Sequence, residues 1–232
     1  MGGLQNHLNG LSGVDIYQKI KEDILSLKLV PGQMISENEI AAIYNVSRTP
    51  IKTAFLRLQG EKYIQIIPQK GSFVTLLDMK FIKDIIYMRS VLEVDAMSTI
   101  IEQKLTDEVV ARLNEILERQ NALINSDELS PASFYEVDSE FHHCLFLSIC
   151  RERMWDVIQD CQVYYSRFRI LDTLTTKRYY ELYNEHVRMV TALKDQNMPE
   201  LKNAVFEHLH GNLRSLAEKI NSEYSDYFTH YD

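Results

Sequence analysis

The sequence predicts a mainly α-helical protein in two parts. Only residues 63–77 carry strand signals: two β-rich runs flank the turn formers between Pro68 and Gly71, as in a hairpin. Three short helical segments precede this stretch, and six long amphipathic segments follow it. The N-terminal part therefore has the outline of a winged helix-turn-helix, and the C-terminal part that of an all-helical bundle.

The chain of 232 residues, 45% of them hydrophobic, is long enough for one large domain or two small ones. No apolar run approaches the roughly 18 residues that a membrane span needs. Residues 1–13 are rich in glycine and asparagine and lack the features of a signal peptide, so we expect a flexible arm. Three cysteines without a CxxC pair indicate reduced thiols and predict a cytoplasmic protein.

Charge is distributed unevenly along the chain. Residues 14–77 hold 8 basic against 6 acidic side chains, whereas the remainder holds 17 against 27. The net charge of −8 therefore comes from the C-terminal part. Such asymmetry indicates that residues 14–77 bind nucleic acid and that residues 78–232 do not.

The N-terminal part begins with three short helices. Ser36 and Glu39 predict a capping box at the start of the second, and Ser47 is the expected N-cap of the third. Only Asn45 and Val46 separate the second from the third. The predicted helices cover residues 15–26, 37–44 and 48–61.

The third helix has two distinct faces. Its apolar side chains recur with helical spacing and predict one buried stripe: Ile51, Ala54, Phe55 and Leu58. Arg48 and Lys52 form a row off that stripe, as in a recognition helix that contacts bases and phosphates. Lys70 and Gly71 at the hairpin tip would let a cation and the backbone approach DNA. On the helix face alone, ordinary solvated charges explain Arg48 and Lys52 equally well.

The segment MISENEIAAIYNVSRTPIKTAFLRLQGEKYIQIIPQKGSFV resembles the GntR family of bacterial transcription regulators. The resemblance covers about residues 14–77 and implies that Arg48 reads a base. It also implies that Ser47, Thr49 and Lys52 hold DNA, with Lys70 and Gly71 in the wing. Two positions depart from the family pattern. Lys52 stands where arginine is usual, and Asn38 stands where some relatives carry a DNA-contacting arginine.

The C-terminal part reads as a bundle of amphipathic helices. The stretches SDELSP and DQNMPE are the clearest breaks, since each combines turn formers with a proline. The predicted helices lie near residues 79–102, 107–125, 131–150, 153–172, 177–196 and 199–222.

Four side chains in this bundle are candidates for one metal site. Asp138 and His142 are one helical turn apart, so both can point the same way. His186 and His208 would be about 33 Å apart in one continuous helix. A reversal of the chain at Asn197 would instead place the two histidines side by side on antiparallel helices. Three imidazoles and a carboxylate suit zinc, nickel, iron, copper or manganese. On spacing alone, ordinary core or surface positions explain the four residues at least as well.

Residues 78–232 resemble the FCD ligand-binding domain of the FadR-like branch of that family. The matching pattern is D-x-x-x-H in one helix, then E-H, then a histidine 22 residues later. It implies that Asp138, His142, His186 and His208 bind a divalent transition metal, with zinc and nickel preferred over iron, copper and manganese. The stretch YMRSVLEVDAM matches the first helix of that domain.

Arg89 and Glu93 in this first helix are four residues apart. They could form a simple intrahelical ion pair, or Arg89 could face the cavity and clamp a ligand carboxylate. The resemblance favours the second interpretation. Arg167 and Arg169 are further candidates for the same contact.

The sequence thus predicts a homodimeric transcription regulator, a repressor rather than an enzyme. Residues 14–77 would bind double-stranded operator DNA as a homodimer on two half-sites. Residues 78–232 would mediate dimerisation and bind the metal and a small carboxylate effector. Two alternatives remain: a metal-dependent, hydrolase-like enzyme, and a regulator whose metal is purely structural.

Overall fold

The structure is a computed structural model that describes residues 13–161 and 163–229. The predicted flexible arm, residues 1–13, lies outside the described residues except for Gly13, which begins the first helix. The chain divides into two compact units, residues 1–76 and residues 77–232. The predicted fold class is confirmed, because helices dominate and the sheet is confined to the first unit.

The first unit combines three helices with a three-stranded antiparallel sheet. Its elements are α1 (Gly13–Leu25), β1 (Met34–Ile35), α2 (Glu37–Ile43), α3 (Arg48–Gly60), β2 (Ile64–Ile67) and β3 (Gly71–Val74). Strand β3 lies between β1 and β2. The sequence predicts the β2–β3 hairpin but not β1, because two residues are too few to show an alternating pattern. This is a helix-turn-helix followed by a β-hairpin wing.

The caps of α2 and α3 differ from the prediction in detail. The Ser36 side chain accepts a hydrogen bond from the amide of Asn38 at 3.2 Å. The predicted capping box with Glu39 is therefore wrong, although Ser36 does cap the helix. Ser47 occupies the N-cap position of α3, but its side chain makes no capping hydrogen bond. Asn45 turns the chain between the two helices with φ 52°, a left-handed conformation that asparagine tolerates well.

The core of the first unit lies between α1 and α3. The predicted apolar stripe of α3 is buried. The four buried side chains of α1 pack against it: Ile16, Tyr17, Ile20 and Ile24. Burial of this face fixes the rotation of α3 about its axis, and the first turns of the helix therefore present Arg48 and Lys52 to solvent.

The second unit is a bundle of seven helices among the described residues. They are α4 (Met79–Glu102), α5 (Thr106–Ile124), α6 (Pro131–Ser148), α7 (Glu152–Asp160), α8 (Val163–Thr176), α9 (Tyr179–Lys194) and α10 (Met198–Ser222), followed by a short 3₁₀ turn at Ser225–Tyr227. The sequence predicts one helix over residues 153–172, because no proline or glycine interrupts it. That prediction is wrong, since α7 ends at Asp160.

Helices α4 and α5 connect α6 to the α9–α10 pair in the second unit, because α4 packs on α6 and α10. Helix α5 packs on α6 and α9, and α10 packs on α9 and α4. The turn between α9 and α10 follows the predicted fold-back. Asn197 caps α10 by accepting a hydrogen bond from the Glu200 amide at 3.2 Å. Among the described residues, no helix is long and apolar enough to cross a membrane.

Candidate functional site

Four predicted side chains of the second unit converge in its interior. Asp138 and His142 lie on α6, His186 lies on α9 and His208 lies on α10. One nitrogen or carboxylate oxygen from each lies within 4.8 Å of the others, and all four residues are buried. His142 Nε2 is 3.2 Å from His208 Nε2. His186 Nε2 is 3.6 Å from Asp138 Oδ1. The one-turn spacing on α6 and the fold-back between α9 and α10 produce this arrangement.

Each imidazole is held from outside through its other ring nitrogen. His142 Nδ1 lies 2.8 Å from a carboxylate oxygen of Glu93 on α4. His208 Nδ1 lies 3.0 Å from a carboxylate oxygen of Glu185 on α9. The remaining contact joins His186 Nδ1 to the amide oxygen of Gln120 on α5 at 3.0 Å. Because all three oxygens are acceptors, each Nδ1 donates a hydrogen bond, and in a neutral imidazole Nε2 then keeps its lone pair.

These tautomers decide what the centre of the cluster can hold. The Nε2 atoms of His142 and His208 face each other at 3.2 Å. Within the described residues, His186 Nε2 and Asp138 Oδ1 have no hydrogen-bond partner. Buried lone pairs without donors are costly unless a cation satisfies them. The group therefore fits a divalent metal ion bound by three imidazoles and a carboxylate.

The protonation of these groups favours the same chemistry. Burial lowers the pKa of His142 to about 4, against the opposing effect of Glu93. Burial also places the pKa of His186 well below its usual range. For Asp138, burial would raise the pKa, but Arg169 and the neighbouring histidines outweigh it and lower the pKa. At neutral pH, His142 and His186 are therefore neutral and Asp138 is ionised, as metal ligands must be.

Arg89 forms the predicted intrahelical pair with Glu93. Its Nε donates to Glu93 at 2.7 Å, and the side chain is fully buried. Within the part of the chain that the structure describes, its Nη1 and Nη2 have no hydrogen-bond partner. The guanidinium carbon lies 5.4 Å from the ring centre of Tyr165 and 5.9 Å from that of Trp155. The intrahelical pair exists, and four N–H groups remain available for an anion.

The other two candidate arginines lie on α8. Arg169 forms a buried ion pair with Asp138 and stacks on Tyr135, with 4.0 Å between the guanidinium carbon and the ring centre. The Nε of Arg167 donates to the carbonyl of Val163 at 3.0 Å, and its guanidinium carbon lies 5.6 Å from the ring centre of Tyr164. Arg169 thus contacts a candidate metal ligand, whereas these contacts of Arg167 lie along α8.

The sequence did not assign the outer contacts of the histidines. Glu185 directly precedes His186, so the Glu-His pair is visible in the sequence. The contact of Glu185, however, is with His208 on the next helix. Glu93 stands four residues after Arg89, and its second contact with His142 was not expected. Gln120 carries no signal, because an amide on an amphipathic helix is common.

The predicted DNA-contacting side chains lie in the first unit and are all exposed. They cluster at the start of α3 and at the tip of the β2–β3 hairpin: Ser47, Arg48, Thr49, Lys52, Lys70 and Gly71. The Arg48 side chain is 68% exposed and lies 3.4 Å from Glu37. Gly71 has φ 122°, a conformation that glycine adopts without strain.

Comparison with known proteins finds similarity to both units of the chain. Residues 13–74 match the family model described as bacterial regulatory proteins, gntR family, and residues 84–211 match that of the FCD domain. The HTH-type transcriptional repressor RspR of Escherichia coli (strain K12) is 27% identical, with 92% of each chain covered. The Nta operon transcriptional regulator of Aminobacter aminovorans is 27% identical, covering 86% of this chain and 91% of that protein.

The fold is shared with solved structures. The structure titled E. coli McbR/YncC matches with a TM-score of 0.65 at 20% identity, over 91% of this chain and all of that one. A transcriptional regulator from Rhodococcus sp. RHA1 matches with a TM-score of 0.63 at 16% identity, covering 88% of this chain and 97% of that one. The chain therefore belongs to the gntR family of bacterial regulatory proteins, and its helical unit is an FCD domain.

Proposed function

We propose that this chain is a DNA-binding transcription repressor whose operator affinity is controlled by a small organic acid bound at a metal site in the helical unit. One observation carries the proposal: three buried imidazole lone pairs and the Asp138 carboxylate meet at one point. The proposal also draws on membership of the gntR family and on relatives described as transcriptional repressors.

The first unit binds operator DNA through α3 and the hairpin. Arg48, at the start of α3, reaches a guanine edge in the major groove. Ser47, Thr49 and Lys52 hold phosphates next to it, helped by the positive end of the helix dipole. Lys70 and Gly71 approach the backbone or the minor groove. The exposure of all six residues supports this assignment.

The second unit holds the metal through Asp138, His142, His186 and His208. A bound divalent ion supplies a positive centre with open positions to which oxygen donors can coordinate. The ligand types suit zinc or nickel, and also iron, copper or manganese. The hydrogen bonds that Glu93, Gln120 and Glu185 accept from the Nδ1 atoms favour the tautomers that such a site requires.

The effector is a small carboxylate. A divalent cation with one aspartate ligand leaves a net positive charge in a buried site. Arg89 offers four N–H donors that have no hydrogen-bond partner among the residues the structure describes. An anion that pairs with these groups offsets the cost of burying them. A carboxylate matches the planar fork of a guanidinium in shape and charge.

Control of DNA binding requires two states with different affinity for the effector. The chain acts as a homodimer, because two helix-turn-helix units then match the two half-sites of an operator. The effector changes the preferred geometry of the two DNA-binding units and hence the affinity for both half-sites. A purely structural metal is the alternative, in which the acid has no effect.

The test uses the full-length protein and an operator selected from a random-sequence DNA library. Binding to the labelled operator is measured by fluorescence anisotropy with zinc-loaded and chelator-treated protein, each with and without small acids. We expect specific DNA binding that at least one acid changes only in the zinc-loaded protein. An operator affinity independent of both zinc and acids would support a structural metal instead, and the absence of sequence-specific binding would overturn the proposal.

A further inference from the structure

A chain of polar contacts leads away from His208 into the second unit. The Nδ1 of His208 lies 3.0 Å from one carboxylate oxygen of Glu185. The other oxygen of Glu185 accepts a hydrogen bond from Arg178 Nη2 at 2.8 Å. Glu185 is thus held between an imidazole and a guanidinium, and Arg178 determines where its carboxylate lies.

Arg178 is anchored in turn by a second carboxylate. Its Nη1 lies 3.7 Å from Oδ2 of Asp172, a fully buried side chain on α8. Within the described residues, neither of these two atoms has a hydrogen-bond partner. The other oxygen of Asp172 accepts hydrogen bonds from Ser215 at 2.5 Å and Thr176 at 3.3 Å.

Gly211 provides the space for this guanidinium. It lies in the middle of α10, where glycine is the weakest helix former other than proline. A Cβ at this position would lie 3.2 Å from Arg178 Nη2 and 3.3 Å from Nη1. Such contacts are tighter than ordinary van der Waals packing, so the guanidinium would have to shift by a few tenths of an ångström to admit a Cβ. The close approach of Arg178 gives a physical reason for the glycine.

These contacts connect α8, α9 and α10 next to the candidate metal centre. His208, Gly211 and Ser215 follow one another at three and four residues, so they share one face of α10. Arg178 is the N-cap residue of α9 and lies seven residues before Glu185, two turns along the same face. Arg178, at the α8–α9 connection, is therefore linked through Glu185 to His208, a candidate metal ligand on α10.

We propose that Arg178 is a positioning residue for the metal centre. It holds the Glu185 carboxylate against His208 Nδ1, which keeps the proton on that nitrogen and directs the Nε2 lone pair to the centre. Asp172 anchors the guanidinium, and Gly211 leaves room for it. The inference rests on the proposed metal site. Loss of an outer partner of a metal-bound histidine typically weakens metal affinity by about 10- to 100-fold.

The first test compares Arg178→Met with Arg188→Met in the full-length protein. Arg188 also lies on α9 and pairs with a glutamate, Glu200, but that pair is partly exposed. Zinc affinity is measured by competition with a chromophoric chelator. We expect Arg178→Met to weaken zinc binding at least tenfold and Arg188→Met to leave it unchanged. If the wild type takes up no zinc, the proposed metal site fails; if both variants bind zinc like the wild type, only the positioning role fails.

Gly211→Ala gives a variant that does not depend on removing a buried charge. It improves the helix propensity of α10, so a general loss of folding is not the expected result. Gly211→Ala should weaken zinc binding in the otherwise wild-type chain. It should change zinc binding little when Arg178→Met is already present, because both substitutions act through one contact. Equal weakening in the two backgrounds would overturn the role of Gly211 as the space for Arg178.

A spectroscopic measurement separates positioning from general stability. Long-range ¹H–¹⁵N NMR of zinc-free protein reports which ring nitrogen of His208 carries the proton. We expect the Nδ1–H form in the wild type and in Arg188→Met, and a mixture of tautomers in Arg178→Met and Gly211→Ala. An unchanged His208 tautomer in both of the latter variants would overturn the proposal.

Discussion

Glu93 accepts a hydrogen bond from His142 Nδ1 with one carboxylate oxygen, at 2.8 Å, and uses the other to accept from Arg89 Nε at 2.7 Å. A single carboxylate thus orients a candidate metal ligand and neutralises the arginine of the candidate anion site. Burial would raise the pKa of Glu93, but Arg89 and His142 outweigh it and lower the pKa to about 2. Glu93 therefore stays ionised at neutral pH and couples the two sites.

The first prediction concerns this carboxylate. Glu93→Gln leaves Arg89 as a buried charge without its partner, which typically costs about 3–5 kcal/mol. We expect a marked fall in the melting temperature of the second unit. Zinc binding should also weaken, because glutamine has one acceptor oxygen for two donors, His142 Nδ1 and Arg89 Nε. Glu140→Gln is the matched control, since Glu140 pairs with Arg119 on the exposed surface. A thermal scan in which both variants melt alike would contradict the structural role of Glu93.

The second prediction concerns DNA. Arg48→Ala removes the proposed guanine contact, which is worth about 1–3 kcal/mol of discrimination. We expect loss of specific operator binding with the fold unchanged, because the Arg48 side chain is 68% exposed. Arg57→Ala is a control on the same helix, placed in its last turn. Gel-shift titrations at fixed salt in which Arg48→Ala binds the operator like the wild type would refute the assignment.

The third prediction concerns the metal. His186→Ala and His208→Ala should each reduce the amount of bound metal, and a chelator should have the same effect on the wild type. Since a ligand bound only to the folded state stabilises it by RT ln(1 + [M]/Kd), the melting temperature should rise with metal concentration in the wild type and much less in His186→Ala and His208→Ala. His143→Ala is the control, because His143 stacks on Trp155 instead of joining the cluster. Elemental analysis that finds wild type and variants equally metal-free would exclude the site.

Sequence spacing made the four inner residues candidates, and the resemblance to the FCD domain favoured a shared site over ordinary core or surface positions. Asp138 and His142 are neighbours on any helix, and the break at Asn197 fixes how α9 and α10 pair. The outer contacts of Glu93 and Gln120 could not be found in this way. They come from α4 and α5, and their positions depend on how these helices rotate and slide against α6 and α9. Spacing within one helix carries no information about such offsets.

The fold shows the same division between local and tertiary information. The buried stripe of α3 follows from helical periodicity, and the hairpin follows from its turn residues. The end of α7 at Asp160 was missed because no glycine or proline marks it. Strand β1 was missed because only its pairing with β3 defines it. Features that depend on partners distant in sequence leave no local pattern.

The last prediction concerns the ligand. Small hydroxy- or dicarboxylic acids should raise the melting temperature of the zinc-loaded protein, because one oxygen pair can coordinate the metal while a carboxylate meets the free Nη groups of Arg89. Chelator-treated protein and Arg89→Ala should respond much less, since each lacks one of the two positive groups. Arg112→Ala is the matched control: Arg112 also pairs with a glutamate four residues away, but on the exposed surface. A thermal-shift screen in which acids stabilise the zinc-loaded, zinc-free and Arg89→Ala proteins equally would show that these residues do not form the anion site.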